Sequence, residues 1–277
     1  MDVSFATLAG SVDVANEDAV AATSGVVAVV DGVSTSRLAT GCIHGTPWYA
    51  NSLATQIVAA ASREPGRDLR GVLFEALQSV ALSHADTCDL TADGTPSATV
   101  AIARPYGEQL DYLVLSDATI AIETGAGVEV ISDKRVDALV GDLSLAAKLA
   151  TPGSEDQKER MEELITTQRR LRNVEGGYWL AGAVPEAAQH AVAGSLPLGE
   201  VRTVAVMSDG ASCLVDVYQS MEWGRALAML AADGPEAWLR RVREIELADA
   251  SKQQWPRYKV SDDATIALCW GFSTASE

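Results

Sequence analysis

"VVAVVDGVST", residues 26–35, is a run of five apolar residues that ends on Asp31 and Gly32. Valine and alanine alone fill it, it is too short for a helix, and neither face is polar, so it is read as a buried strand. Much later "TVAVMSDGAS", residues 203–212, does nearly the same, closing on Asp209 and Gly210. Taken singly, Asp-Gly after a strand is turn chemistry, because Asp hydrogen-bonds its own backbone and Gly accepts positive φ. Two such endings, with further carboxylates at other strand ends, point to a shared cation.

Working outward, strands are expected over 3–9, 25–31, 97–105, 109–117, 118–125, 127–133, 201–209 and 262–271, with two more between 173 and 200. Helices are expected over 48–62, 69–85, 221–232 and 235–249; in the second, Leu69, Val72, Leu73, Ala76, Leu77 and Val80 recur at helical spacing. "PGSEDQKERMEELITTQRRLR" (152–172) has helical composition and belongs to a charged helical insertion around 133–175. Strands grouped in hairpins, rather than alternating with helices, predict an α+β fold of antiparallel sheets covered by helices. No Gly-rich strand-to-helix turn supports a dinucleotide fold. The whole of 1–277 reads as one domain, without a linker or repeat.

The chain carries 38 acidic against 21 basic residues, a net charge of −17. That field repels phosphate backbones, which excludes nucleic acid as an expected partner. No apolar run approaches the ~18–20 residues of a membrane span, and "MDVSFATLAG" lacks the pattern of a secretory signal. Cys42, Cys88, Cys213 and Cys269 are scattered with no CxxC pair, which argues against a thiolate zinc site and a disulfide framework. A reduced, cytoplasmic setting is expected. His84 and His190 read as packing residues, and the aromatics of "GTPWYA" and "GGYWLAG" as anchors.

The carboxylates at strand ends are Glu17 and Asp18 in "NEDAV", Asp31, Asp117 in "VLSDAT", Asp209, and Asp262 and Asp263 in "SDDATIAL". Gathered at one sheet edge they would repel strongly. Hard divalent cations relieve such repulsion and prefer oxygen ligands, so Mg²⁺ or Mn²⁺ is the expected cofactor.

In order, "NED" (16–18), "VVDG" (29–32), "TPSATVAI" (95–102), "YLVLSDA" (112–118), "VAVMSDG" (204–210) and "DDATIAL" (262–268) resemble the motif series of the metal-dependent protein phosphatases, the PPM or type 2C family. The resemblance implies a sandwich of two antiparallel sheets flanked by helices, with a dinuclear Mg²⁺/Mn²⁺ site at one end. It implies Asp31 as the bridging ligand, Gly32 as a carbonyl ligand, and Asp209 and Asp262 as ligands of the other metal. Asp18 would contact metal and Glu17 would act through water. Asp117 would belong to a third, weaker metal, and Asp263 would support the ligands from behind. The implied reaction is hydrolysis of phosphoserine or phosphothreonine on proteins, or of a smaller phosphomonoester, by a metal-bridging hydroxide without a phosphoenzyme.

Three positions depart from that pattern. Asp13 stands where the family has its phosphate-binding arginine, and a carboxylate repels the phosphate that a guanidinium would hold. Val33 replaces the histidine that eukaryotic members carry after Asp-Gly, and Cys213 falls where a third-metal aspartate is expected, with Asp216 out of register. Arg37 and His44 follow the bridging aspartate closely. Arg37 reads first as a surface charge and otherwise as a phosphate ligand; His44 reads first as a hydrogen-bonded loop residue and otherwise as a proton donor. The departures leave open a catalytically weak PPM-fold module used for regulatory protein binding. A haloacid-dehalogenase-like route with Asp31 as nucleophile is set aside, because Val33 occupies the place of its second acid.

Overall fold

A computed structural model describes residues 1–33 and 41–272. The elements run β1 (Asp2–Leu8), β2 (Asp18–Thr23), β3 (Val26–Gly32), α1 (Gly45–Arg63), α2 (Leu69–His84), β4 (Ala98–Tyr106), β5 (Gln109–Leu115), β6 (Thr119–Thr124) and β7 (Gly127–Ile131). They continue with α3 (Arg135–Leu149), α4 (Glu155–Leu171), β8 (Val192–Pro197), β9 (Val201–Met207), α5 (Asp209–Asp216), α6 (Trp223–Asp233), α7 (Pro235–Ala248) and β10 (Ala264–Trp270). Two five-stranded sheets form, ordered β1-β10-β9-β6-β7 and β2-β3-β4-β5-β8. Every pairing is antiparallel. The expected helix-flanked sandwich is the observed fold.

Side-chain alternation explains why the deciding strand is apolar throughout. Val27 and Val29 enter the layer between the sheets, with Ala101, Val114, Ile120, Ile122, Val204 and Val206. Ala28 and Val30 point the other way, into a second layer with Leu53 and Ile57 of α1 and Leu73 and Leu77 of α2. A strand covered on both faces has no solvent side to mark with polar residues. Beyond the other sheet a third layer gathers Ala205, Met207, Ile266 and Leu268 against Leu227, Leu230, Trp238 and Val242 of α6 and α7. Trp238 is fully buried and donates its indole N–H to the Ala211 carbonyl at 2.9 Å.

Several elements differ from the sequence expectation. β2 begins at Asp18 itself and forms a tight hairpin with β3, with Thr23 opposite Val26. Its sequence, DAVAAT, is too short and alanine-rich to signal a strand. Between 173 and 200 one strand forms instead of two; the rest includes a 3₁₀ turn, Pro185–His190. His190 therefore sits on that turn, its ring stacked on Trp179 at 3.5 Å. Over 135–171 the charged segment is a pair of helices, α3 and α4, that bury Val140, Ala147 and Leu164 as a small core of their own. Among the described residues no helix is long and apolar enough to cross a membrane.

Candidate metal centre

Antiparallel pairing brings the relevant strand ends to one rim. β2 starts with Asp18, which is registered opposite Asp31 near the end of β3. Like charges placed directly opposite in a sheet destabilise it. β5 ends at Leu115, and the chain then crosses to the other sheet through Ser116, whose φ is 65°, and Asp117. β9 ends beside the start of β6, with Met207 opposite Thr119, and beside the start of β10, with Met207 opposite Ile266. Asp209 opens α5, and Asp262 and Asp263 lead into β10.

Close backbone approach locks this junction. The Gly32 N–H donates to the Glu17 carbonyl at 3.1 Å. A Cβ on Gly32 would strike Thr46 Cγ2 and lie 2.6 Å from the Glu17 oxygen. A Cβ on Gly210 would strike the Asp263 carbonyl oxygen. The glycines after Asp31 and Asp209 thus serve close packing, and neither has the positive φ of a turn glycine.

The electrostatics record crowded charge. Burial first, and then Asp263 and Asp262, push Asp18 up to about 7 against the lowering effect of Ser208 and Thr265 hydroxyls. Asp31 lies well above the ordinary carboxylate range, because of burial and then Asp18, Asp209, Asp117 and Asp262. Asp209 reaches solvent along one edge yet is ringed by protein; that desolvation, then Asp117, Asp262 and Asp18, pushes it up to about 8. Asp117 is raised chiefly by burial. Asp31 and Asp209 both feel Asp18, Asp117 and Asp262, so these five carboxylates lie close together at the rim.

The donor set suits a hard cation. Asp18 Oδ2 is buried and has no hydrogen-bond partner in the structure, an orphaned oxygen aimed into the acidic cluster. Carboxylate oxygens dominate the rim, with no thiol or imidazole among the groups that perturb Asp31. Lys259 places its ammonium 2.8 Å from Asp262 Oδ1. Burial works against its charge, but Asp262, with Asp263 and Glu17, holds its pKa above the usual lysine value.

Behind the rim, Asp263 accepts the Gly10 and Glu17 amides, both at 2.7 Å, and ties the β1–β2 loop to the start of β10. Replacing it with alanine strands two backbone donors. Asp263→Ala is expected to destabilise the protein by about 1–3 kcal/mol. Asp263→Asn keeps one acceptor oxygen and should recover part of the loss in thermal melts. Arg243 of α7 is a bracing residue that sequence reasoning missed. It pairs with buried Glu246 and donates to the carbonyls of Leu8, Ala9 and Asp262, at 3.1, 3.2 and 2.5 Å. Only the folded chain makes these links visible, because they join residues far apart in sequence.

Beside the carboxylates lies a cleft of about 350 Å³, lined by Asp117, Asp209 and Asp262 together with Lys134, Lys148 and Lys259. α3 forms one wall through Asp137, Val140, Gly141 and Ser144. Cys213 and Asp216 also border it. Asp13 is exposed on the β1–β2 loop, its N–H donating to Ser11 Oγ at 3.1 Å. Arg37 lies outside the described residues.

Away from the acids, the fold brings two of the scattered cysteines together with two histidines. Cys42, His44, His84 and Cys88 bring one ligand atom each into a cluster whose members lie within 4.8 Å of one another. His84 is buried at the end of α2 and His44 precedes α1, both rings packed against Trp48. The available signal was His84-x-x-x-Cys88 at a helix end, where positions four apart share a face. It has no CxxC form and was passed over.

No protein-family model and no curated protein sequence matches the chain. Solved structures do. MsPP, a PPM Ser-Thr phosphatase from Mycobacterium smegmatis solved in complex with cacodylate, is 16% identical with a TM-score of 0.56 over 97% of each chain. The catalytic domain of the serine threonine protein phosphatase PstP, solved with 2 manganese ions, is 18% identical with a TM-score of 0.53 over 96% of each chain. Serine/threonine phosphatase Stp1 from Staphylococcus aureus is 17% identical with a TM-score of 0.56, covering 98% of this chain and 95% of that one. The chain has the PPM phosphatase fold.

Proposed function

We propose that this chain, built on the PPM fold, is a Mg²⁺- or Mn²⁺-dependent hydrolase of phosphomonoesters, acting on phosphoserine or phosphothreonine in proteins. One observation carries the reading: the strand ends bring Asp18, Asp31, Asp117, Asp209 and Asp262 to a single rim, where acidic neighbours from this set raise Asp18, Asp31 and Asp209 above the ordinary carboxylate range. Asp31 stands at the centre, with Gly32 beside it offering a carbonyl. Asp18, with its unpartnered oxygen, and Asp209 and Asp262 would supply further carboxylate ligands. Asp117 offers a further, weaker position. Glu17 adds its carboxylate from the β1–β2 loop, and Asp263 holds that loop in place.

When bound, divalent ions would neutralise the developing charge on a phosphoryl group and lower the pKa of water from 15.7 toward ~7. The chain's residues do the rest. The cleft beside Asp117 and Asp209 receives the phosphorylated segment, and Lys134, Lys148 and Lys259 supply the positive charge that Asp13 does not.

A second reading, a regulatory binding module with weak or no activity, is favoured by Asp13 in place of a phosphate-binding arginine. The separating experiment pairs hydrolysis of p-nitrophenyl phosphate and a phosphothreonine peptide with calorimetric Mn²⁺ titration. Manganese-stimulated release of phosphate supports the enzyme. Manganese binding without release from either substrate supports the module, and absence of both sinks the metal centre itself.

A further inference from the structure

We propose that Cys42, His44, His84 and Cys88 bind a single zinc ion that clamps the start of α1 to the end of α2, separate from the acidic rim. The proposal begins with shape. Zinc bonds sulfur at about 2.3 Å and imidazole nitrogen at about 2.0–2.1 Å in a tetrahedron, so its S···N edges are about 3.5 Å and its S···S edge about 3.8 Å. In the structure Cys88 Sγ lies 3.4 Å from His44 Nδ1 and 3.4 Å from Cys42 Sγ. Cys42 Sγ lies 3.8 Å from His44 Nδ1 and 3.7 Å from His84 Nδ1. Those edges match a tetrahedron to within a few tenths of an ångström, and the sulfurs are too far apart for a disulfide bond of about 2.05 Å.

Ligand chemistry narrows the metal. Two thiolates and two imidazoles are soft and borderline donors, poor for Mg²⁺ or Mn²⁺ and well suited to zinc. Both thiol protons pass to solvent on binding, and two thiolates then balance Zn²⁺. A neutral assembly can be buried at low cost, which fits burial of Cys42 and His84. Four protein ligands leave no open position, which marks a structural rather than catalytic ion.

The surroundings hold the ligands in place. His44 stands at the N-terminus of α1 and His84 is the last residue of α2. The Cys88 N–H donates to the His84 carbonyl at 3.0 Å, which fixes the second pair on one turn. Gly41, at φ +64°, accepts the Asp89 N–H at 2.8 Å, joining the two ligand-bearing loops directly. The Trp48 ring stacks on His44 at 4.3 Å and approaches His84 at 5.0 Å, orienting both imidazoles. With its Nδ1 committed to this cluster, His44 is assigned to the clamp rather than to proton donation at the carboxylates. Because Cys42 lies shortly after Gly32, the ion anchors the chain soon after it leaves the acidic rim.

The test measures zinc by mass spectrometry in the full-length protein, purified in excess Mg²⁺ to occupy the carboxylates. About one zinc per chain is expected in the wild type and in Asp31→Asn, falling at least roughly tenfold in Cys42→Ser/Cys88→Ser. Cobalt-substituted protein should show thiolate-to-metal charge transfer and tetrahedral d–d bands that persist in Asp31→Asn. If the double variant does not fold, titrating wild-type thiols with an organomercurial should release one zinc as the pair is modified. Zinc-free wild type, zinc retained in the folded double variant, or a cobalt spectrum lost in Asp31→Asn would each overturn the clamp. None of these readouts depends on phosphatase activity, so the clamp and the proposed hydrolysis can fail separately.

Discussion

Asp31→Asn is expected to abolish manganese-stimulated phosphate release, by at least roughly a thousandfold, while making the metal-free protein more stable near pH 8. The first half follows from position: Asp31 faces Asp18 across the β2–β3 ladder and lies within hydrogen-bonding reach of Asp209, so in the proposed centre it would be the oxygen donor that both ions share. An amide carries no charge to bridge two cations. A thousandfold loss corresponds to about 4 kcal/mol of transition-state stabilisation, a modest demand for a group common to both ions. The second half follows from burial. Asp31 holds its carboxyl well above the ordinary range because ionisation there faces desolvation and four neighbouring acids. Asparagine removes that charge at nearly constant volume. The expected signature is therefore opposite in sign for function and stability: activity gone, metal-free melting temperature raised, and manganese-induced stabilisation lost. Retained manganese-dependent turnover, or a lowered metal-free melting temperature in a well-folded variant, would remove Asp31 from the centre.

The strand ends were legible because they combine two independent signals, an apolar run and a terminal carboxylate. "VVAVVDG" and "VAVMSDG" gave β3 and β9, and the antiparallel order of the remaining strands then followed from hairpin spacing. β2 escaped notice because alanine and threonine in a short edge strand carry little apolar contrast, although its first residue, Asp18, was identified. Asp209 was expected at a strand end and proves to be the first residue of α5. Short helices of this kind depend on tertiary packing and have weak local signatures. Arg243 was invisible for a different reason. Its partners are backbone carbonyls of Leu8, Ala9 and Asp262, and backbone groups leave no trace in residue identity. The cysteine–histidine cluster has no paired-ligand signature in the sequence, because spacing rules look for ligands paired two residues apart, whereas packing of α1 beside α2 assembles this one.

Metal-free protein should lose stability as pH rises from about 5 to about 8, and Mn²⁺ should restore most of it at the upper end. Asp18 shows the sign. In the unfolded chain it ionises near 3.8; in the folded chain burial and its acidic neighbours delay ionisation to about 7. The folded state therefore binds the proton more tightly. That contribution to stability is fully present below the unfolded value and disappears as pH passes through the folded one. For this buried group the difference is on the order of 4 kcal/mol, at about 1.4 kcal/mol per pH unit. Asp31 and Asp209 act in the same direction, Asp209 extending the window to about pH 8. Divalent ions replace the protons, so their stabilisation should be small near pH 5 and large near pH 8. Urea melts of protein dialysed free of Mg²⁺ and Mn²⁺, repeated with added Mn²⁺, measure both trends. A metal-free stability that stays flat or climbs over this interval would mean that these carboxylates do not compete for protons in the folded chain. In Asp31→Asn the slope should be shallower, because a carboxyl whose ionisation is opposed by burial and four acidic neighbours has been removed.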